Sequence, residues 1–425
     1  MQRIELAYGR HGLSVDIVSP ADVIEPQFVP ALADEASAIR RALAVPTAGP
    51  PLREVVPRGA SVGISVCDVT RPFPGARVLP VLLDELRACG AGPVTIFIAT
   101  GTHRLCTQQE LQQMLGPDVI GACEVVQHDA FDRQRHRQVG TVLGTTTPAL
   151  IEAAFVDQTV RITTGFIEPH FFAGFSGGPK MVAPGLAAIE TVLDLHSAAR
   201  IGDSRATWGI TAGNPVHDAV RAIAADVGIA FNLDVTLNRS HGITNVFSGE
   251  LFASHTVGCS FARSTAMAGV DALYDVVLTT NSGYPLDQNL YQSVKGMSAA
   301  AQIVKPGGSI VIASECSDGL PAHGGYTDLL RQADGPDAFL SRLEVPGFAV
   351  HDQWQVQVQA QIQRRAKVYV HADGLTADQL RAAWFTPVND IAACVETLLA
   401  SAGSTARLAI LPQGPQTIPY VSSAR

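Results

Sequence analysis

The chain has 425 residues, of which 47% are hydrophobic and 16% charged. This balance supplies the cores of about two domains and excludes a disordered protein. Thirty basic residues stand against 39 acidic ones, a net charge of −9, which argues against a nucleic-acid-binding surface because such surfaces carry a basic excess. The seven cysteines form no Cys-x-x-Cys pair, so neither a disulfide framework nor a thiolate metal site is predicted.

The first residues, Met1–Glu5, carry charge where a secretory signal would need an apolar core. No stretch approaches the roughly 20 apolar residues that a membrane-spanning helix needs. We therefore expect a soluble, cytoplasmic protein with neither a membrane nor a nucleic acid as its partner.

Runs rich in Val and Ile alternate with Ala- and Leu-rich segments of helical length. The first half predicts strands at 61–67, 94–99, 124–127, 160–166 and 230–235, with helices at 80–89 and 107–115. The second half predicts strands at 274–279, 309–313, 367–371 and 407–411, with a helical bridge at 251–270 before them. Such alternation is typical of a mostly parallel sheet covered by helices.

The expected fold class is therefore α/β, with two domains that each hold a mostly parallel sheet flanked by helices. The predicted N-terminal domain spans residues 1–270 and carries the chemistry. The predicted C-terminal domain spans 271–411 and completes the cleft, and the tail 412–425 is expected to pack back on the first domain.

The residues suited to chemistry follow predicted strands. Four such segments are Asp68–Pro74, Thr100–Arg104, Ile167–Lys180 and Asn281–Lys295. Ligands of open α/β sheets bind beyond the carboxyl ends of the strands, so these segments predict one shared cleft.

Each residue also has an ordinary structural explanation. Asp68 and Thr70 are suited to helix N-caps, and Arg71 to a surface ion pair. His103 and His170 fit ordinary loop histidines, taken singly. These alternatives stay open on the residues alone.

Two further features narrow the choice of ligand. The turn Gly177–Lys180 lacks the spacing of a nucleotide-triphosphate loop, and no Gly-x-Gly-x-x-Gly follows a strand, which disfavours a nicotinamide dehydrogenase. His196 ends a predicted helix, where it serves either as a C-terminal charge or as a metal ligand. It has no second ligand residue four positions on, so a metal there would need other ligands.

In these segments the sequence resembles the nickel-dependent lactate racemase family. The matching segments are Asp68–Pro72, Ala99–Arg104, Gly165–Lys180 with His196 beyond it, Gly283–Gly296 and Asp352–Gln355. They occur in the family's order and span almost the whole chain.

The resemblance implies a nickel-pincer nucleotide, a pyridinium mononucleotide whose sulfur and carbon atoms hold nickel. Lys180 matches the residue that carries this cofactor covalently, and His196 matches the protein's nickel ligand. Asp68 and Thr70 are expected to contact the cofactor. The resemblance also implies cofactor-maturation proteins as partners.

The implied reaction is racemisation or epimerisation of a 2-hydroxy acid by reversible hydride transfer from its Cα. His103 and His170 match the two histidines that exchange the alcohol proton, and Arg71, Lys295 and Gln292 match the substrate-binding positions. Lactate is only the default among the family's substrates.

One position departs from the family pattern, because Pro179 precedes Lys180 where a basic residue is usual. Proline fixes φ and removes a backbone donor, which stiffens the loop but takes away a charge suited to a cofactor phosphate. The alternative function is a non-racemising protein of the same fold that binds or carries the nucleotide. Such a protein has no need of both His103 and His170.

Overall fold

The computed structural model describes residues 1–321 and 324–422. Its strands are β1 (Gln2–Leu6), β2 (Leu13–Ile17), β3 (Ala21–Val23), β4 (Val62–Cys67), β5 (Val94–Ala99), β6 (Glu124–Gln127), β7 (His136–Thr141), β8 (Pro148–Glu152), β9 (Val160–Phe166), β10 (Pro169–His170), β11 (Gly174–Phe175), β12 (Phe231–Leu237), β13 (Ile243–Gly249), β14 (Met267–Val270), β15 (Tyr274–Thr280), β16 (Val304–Ala313), β17 (Lys367–His371), β18 (Thr386–Pro387), β19 (Leu408–Leu411) and β20 (Ile418–Val421).

The helices lie between these strands. They are α1 (Glu35–Ala44), α2 (Leu52–Val55), α3 (Gly75–Ala88), α4 (Gln108–Leu115), α5 (Pro117–Ala122), α6 (Ala153–Val156), α7 (Ile189–Leu195), α8 (Ala198–Gly202), α9 (Pro215–Val227), α10 (Leu251–Ala266), α11 (Leu290–Ala301), α12 (Tyr326–Arg331), α13 (Pro336–Leu343), α14 (Gln353–Arg365), α15 (Ala377–Ala382) and α16 (Ile391–Ala402). No helix in the described ranges is long and apolar enough to cross a membrane.

The chain forms two compact units. The larger unit contains residues 28–196 and 203–265, and the smaller unit contains residues 1–27, 197–202 and the chain from 266 onward. The predicted domains differ from this division because β3 pairs with β19, which joins the first residues of the chain to the smaller unit.

The end of the chain also belongs to the smaller unit. Within the predicted tail 412–425, strand β20 pairs in parallel with β14 rather than with an element of the larger unit. The last three residues, 423–425, lie outside the described residues.

The larger unit has a six-stranded sheet in the order β13-β12-β9-β4-β5-β6. All neighbours are parallel except β13, which runs antiparallel to β12. Every residue of β4 is buried, as expected for a central strand covered on both faces.

The smaller unit has its own six-stranded sheet in the order β18-β17-β16-β15-β19-β3, and all its neighbouring strands are parallel. The predicted α/β class with two parallel sheets is confirmed.

Helix α3 covers the strands next to the site. Its apolar side chains Val78, Leu79, Leu82 and Leu86 are fully buried, and each contributes about 1.5–3 kcal/mol relative to an exposed position. The helix begins at Gly75 rather than at the predicted residue 80, so that Pro80 lies inside it, although proline is favoured at a helix start.

Helix α3 packs closely on α4 at Gly75. A Cβ at this position would come within 2.5 Å of the Met114 backbone carbonyl oxygen, an atom that cannot move without shifting α4. We expect Gly75→Ala to lower the free energy of unfolding by about 1–3 kcal/mol in urea denaturation. The matched control is Gly121→Ala in α5, where a Cβ meets no atom within 4 Å. Equal stability of the two variants would contradict this packing.

Candidate active site

Three of the predicted strand-end segments meet at one edge of the larger sheet. Strands β9, β4 and β5 are adjacent and parallel, so the segments that follow them leave from the same edge. Hydrogen bonds join these segments directly: Ser65 Oγ donates to the Met181 carbonyl at 2.6 Å, and Gly101 N donates to the Gly185 carbonyl at 2.9 Å. The Lys180 segment is therefore bound to the ends of both β4 and β5.

Asp68 and His103 form a carboxylate–imidazole pair. Asp68 Oδ2 lies 2.7 Å from His103 Nδ1, and the side chain of Asp68 is 4% exposed against 41% for His103. Burial acts to raise the pKa of Asp68, but the imidazole of His103 and the hydroxyl of Thr70 outweigh it, so this pKa lies below its usual value.

The pair fixes which nitrogen of His103 carries the proton. An ionised carboxylate only accepts hydrogen bonds, so Nδ1 of His103 donates and Nε2 of the neutral ring holds a lone pair. Nε2 is therefore placed to act as a base. The neighbouring residues hold Asp68 in turn, since Thr70 donates to Asp68 Oδ1 through its hydroxyl at 2.6 Å. Asp68 thus caps no helix, because the next helix begins at Gly75.

Arg71 is half-buried beside this pair. Its Nη1 donates to the carbonyl and the hydroxyl oxygens of Thr70, at 3.1 and 3.3 Å. No surface carboxylate pairs with Arg71 in the part of the chain that the structure describes, contrary to the ordinary explanation for this residue. Its guanidinium remains a fork of donors suited to a substrate carboxylate.

His170 lies buried in β10 among aromatic rings. Its ring stacks on Phe171, with centroids 4.9 Å apart, and meets Phe172 edge-on at 4.5 Å. The backbone N–H of Ala173 donates to His170 Nδ1 at 3.3 Å. Because Nδ1 accepts, the proton of the neutral ring is on Nε2, the reverse of the arrangement in His103.

The ring of Phe172 brings together three residues that the sequence predicts for the site. Besides His170, the ring contacts His196 edge-on with centroids 5.1 Å apart, and the Lys180 ammonium lies 5.6 Å from its centroid. Phe172 was not predicted as a site residue from the sequence. The apolar pair Phe171–Phe172 directly after His170 is its signal, and such a pair is also typical of a hydrophobic core.

His196 is the C-terminal cap of α7, as its position at a helix end suggests. Its Nδ1 donates to the Val192 carbonyl at 2.8 Å, so Nε2 of the neutral ring carries the lone pair. This is the usual arrangement of a metal-binding histidine, whose second nitrogen is fixed by a backbone carbonyl. The ring thus caps the helix by a hydrogen bond, and its metal-binding role stays a prediction.

The loop that presents Lys180 depends on a buried aspartate. The backbone N–H of Gly178 donates to Asp234 Oδ2 at 3.1 Å, and Asn232 donates to the same oxygen at 3.0 Å. Burial raises the pKa of Asp234 to about 6. Gly178 has φ +49°, and a Cβ there would lie 2.5 Å from the His255 ring. Asp234 thus fixes a turn that only glycine permits.

Asp234 was not predicted from the sequence, although the alternation of polar and apolar residues in Phe231–Leu237 is a signal for it. Pro179 is buried in the same turn, and its carbonyl accepts from Val182 N at 3.0 Å. Proline at this position therefore belongs to the short helical turn Gly178–Met181.

The remaining predicted residues, Lys295 and Gln292, lie on α11 in the smaller unit. Lys295 Nζ donates to Gln292 Oε1 at 2.9 Å, and Asn289 caps the helix by accepting from Gln292 N. Their substrate-binding role stays a prediction.

The site and the fold can now be compared with known proteins. A family model described as the lactate racemase N-terminal domain matches residues 8–209, and one described as the lactate racemase C-terminal domain matches residues 270–418. A lactate racemase of Thermoanaerobacterium thermosaccharolyticum is 33% identical over 428 residues, which cover 98% of this chain and 99% of that protein. A lactate racemase of Lactiplantibacillus plantarum is 32% identical over 384 residues, covering 89% and 90% of the two chains.

Solved structures agree with these relationships. The structure of the lactate racemase apoprotein from T. thermosaccharolyticum matches with a TM-score of 0.91 at 32% identity and covers 98% of this chain and 100% of that chain. A crystal structure of a Thermotoga maritima protein, at 18% identity and a TM-score of 0.71, covers 93% and 100% and shares the fold.

A parallel α/β sheet whose carboxyl edge holds oriented histidines, together with these matches, supports an enzyme of the racemase class. The chain belongs to the lactate racemase family. The resemblance stated from the sequence is thus confirmed.

Proposed function

We propose that this protein racemises or epimerises a 2-hydroxy acid, with lactate as the first substrate to try. The observation that carries the proposal is the opposite placement of the ring protons in two histidines. Asp68 leaves a lone pair on Nε2 of His103, whereas Ala173 N leaves a proton on Nε2 of His170. A racemase that removes an alcohol proton on one side and returns one on the other needs one base and one acid.

The residues of the larger unit fit the cofactor that the family implies. A nucleotide joined to a lysine and bound through one nickel–nitrogen bond needs an amine and an imidazole lone pair close together. Lys180 and His196 lie against the same Phe172 ring. The Nδ1 proton of His196 is donated to the Val192 carbonyl, which leaves the Nε2 lone pair for a metal. We propose that Lys180 attaches the nickel-pincer nucleotide and that Nε2 of His196 binds its nickel. When bound, this cofactor supplies the acceptor for a hydride from the substrate Cα.

The protein's own groups handle the proton and the charges. Nε2 of His103 takes the hydroxyl proton of one enantiomer, and Asp68 stabilises the imidazolium that results. Loss of that proton together with the Cα hydride leaves a 2-keto acid that is planar at Cα, so a hydride can be returned to either face. His170 enters this step as the imidazolium, gives its Nε2 proton to the oxygen of the keto acid as the hydroxyl of the other enantiomer forms, and is left as a neutral ring. Each ring ends in the protonation state from which the reverse reaction starts.

The substrate carboxylate needs fixed cationic donors. We propose that Arg71 binds it through the planar guanidinium, which matches carboxylate geometry. Lys295 and Gln292 add a charge and an orienting hydrogen bond, and Thr70 contributes to cofactor binding. The rival function, a non-racemising carrier of the nucleotide, needs Lys180 and His196 but gives no reason for the Asp68–His103 pair.

The attachment is tested by mass. The full chain is co-produced with the cofactor-maturation proteins, and intact mass and peptide mapping are recorded with the nickel content. We expect an adduct of pincer-nucleotide mass on the peptide that contains Lys180, and none in Lys180→Ala. The matched control, Lys367→Ala, removes an exposed lysine and should keep the adduct. An unchanged adduct in Lys180→Ala would place the attachment elsewhere.

The two histidines are tested by activity with the cofactor in place. We expect His103→Asn and His170→Asn each to lower kcat for lactate racemisation by about 10²–10⁴-fold, the usual contribution of a general acid or base. The adduct and nickel content should stay unchanged, because neither ring attaches the cofactor. His11→Asn, which replaces an exposed histidine, controls for the substitution itself. Residual activity near that of the wild type in both variants would refute the two-histidine scheme.

A further inference from the structure

A second group of histidines lies in the larger unit, on residues that the proposed reaction does not use. His128 follows β6, His136 begins β7 and Glu152 ends β8. One donor atom from each lies within 4.8 Å of the others. His136 and Glu152 face each other directly in the β7–β8 register.

The hydrogen bonds of the two rings show where their protons are. Thr100 Oγ1 donates to the His128 carbonyl at 2.6 Å, so its single proton is used and it accepts from His128 Nδ1 at 3.1 Å. His136 Nδ1 lies 2.9 Å from the Asp132 carbonyl, which can only accept. In both neutral rings the proton is therefore on Nδ1, and Nε2 carries a lone pair.

These two lone pairs face each other. His128 Nε2 and His136 Nε2 are 2.9 Å apart, at edge-to-face ring orientation. Two acceptors at this distance repel unless a cation lies between them.

Glu152 supplies the negative charge that such a cation needs. Its side chain is buried, and Oε2 forms an ion pair with Arg135 Nη2 at 3.0 Å without the geometry of a hydrogen bond. The carboxylate therefore keeps acceptor capacity beside the two inward lone pairs, and the three groups together make a ligand set.

We propose that His128 Nε2, His136 Nε2 and the Glu152 carboxylate bind a Zn²⁺ ion, with water as the fourth ligand. Tetrahedral zinc with bonds of about 2.0–2.1 Å places two nitrogens about 3.3 Å apart, so the rings need to separate by only a few tenths of an ångström. Thr100 and Asp132 then act as the outer partners that fix the ring nitrogens, as in known zinc sites.

The position of this ion gives it a structural role. It joins the β7–β8 hairpin to the residue after β6, while Thr100 connects His128 to the end of β5. Glu152 N also donates to the Leu186 carbonyl at 2.9 Å, beyond the Lys180 turn. The zinc thus links the β7–β8 hairpin to the two segments that carry His103 and Lys180. Its ligands do not include His196, the proposed nickel ligand.

The test is direct metal binding by the full chain, freed of any affinity tag and needing neither cofactor nor substrate. Zinc content after dialysis is measured by mass spectrometry, and affinity by competition with a chromophoric chelator. We expect one Zn²⁺ per chain, and affinity at least about 100-fold weaker in His136→Gln and Glu152→Gln, more than the loss of an outer-shell partner produces. Co²⁺ in place of zinc should give the d–d absorption of a four-coordinate ion.

Two variants separate this site from other histidines. His196→Ala and His11→Gln should both keep the zinc, because neither residue is a ligand of the proposed ion. His136 is only half-buried, so His136→Gln is expected to fold, which circular dichroism checks. Absence of zinc from the wild-type chain, or equal zinc in wild type and His136→Gln, would overturn the proposal. The outcome is independent of racemase activity, so it does not depend on the proposed function.

Discussion

Parallel pairing of β9, β4 and β5 is the constraint on which the site depends. Because these strands run side by side in one direction, the segments after them leave the sheet at one edge. A single reversed strand would send its segment to the opposite edge, about 20 Å away for strands of six residues. The burial of β4 on both faces therefore does more than stabilise the core, since it keeps Asp68, His103 and the Lys180 turn at one place.

A second physical device recurs throughout the larger unit. Five histidines have Nδ1 fixed by a defined partner, and that partner decides what Nε2 can do. An acceptor on Nδ1, such as a carboxylate, a carbonyl or the Thr100 hydroxyl, leaves on Nε2 a lone pair suited to a base or a ligand. A backbone N–H on Nδ1 instead leaves a proton on Nε2 of the neutral ring. The pattern holds at His103, His170, His196, His128 and His136. In the proposed reaction and the proposed zinc site, the same imidazole group thus serves proton transfer or metal binding according to a single hydrogen bond.

The sequence predicted the central strands closely because their apolar runs are continuous and bounded by Gly, Pro and polar residues. It was less accurate where tertiary packing decides. The predicted helical bridge 251–270 ends as a helix at Ala266, and the chain continues as β14, since Met267–Val270 pairs with β20, 151 residues further on. The β7–β8 hairpin was not predicted because His136–Thr141 lacks apolar alternation.

In the candidate site, too, local sequence predicted the residues, whereas tertiary packing decided their contacts. Motifs identified His103, His170, Lys180 and His196, but they could not give the partner of each ring. Asp68 and His103 are 35 positions apart, and only the pairing of β4 with β5 brings them into contact. Asp234 was missed for a related reason, because its role depends on a turn in a distant segment. The His128–His136–Glu152 cluster likewise depends on the register of a hairpin that local sequence does not fix.

In the proposed reaction His103 and His170 move only the alcohol proton, and the hydrogen on Cα never exchanges with water. The decisive measurement uses lactate that carries deuterium at Cα, racemised in ordinary water by the chain co-produced with the maturation proteins. We expect the enantiomer formed to keep its deuterium, as seen by mass spectrometry and proton NMR. Replacement of that deuterium by solvent hydrogen would contradict it, because it would mean that a protein base removes a proton from Cα.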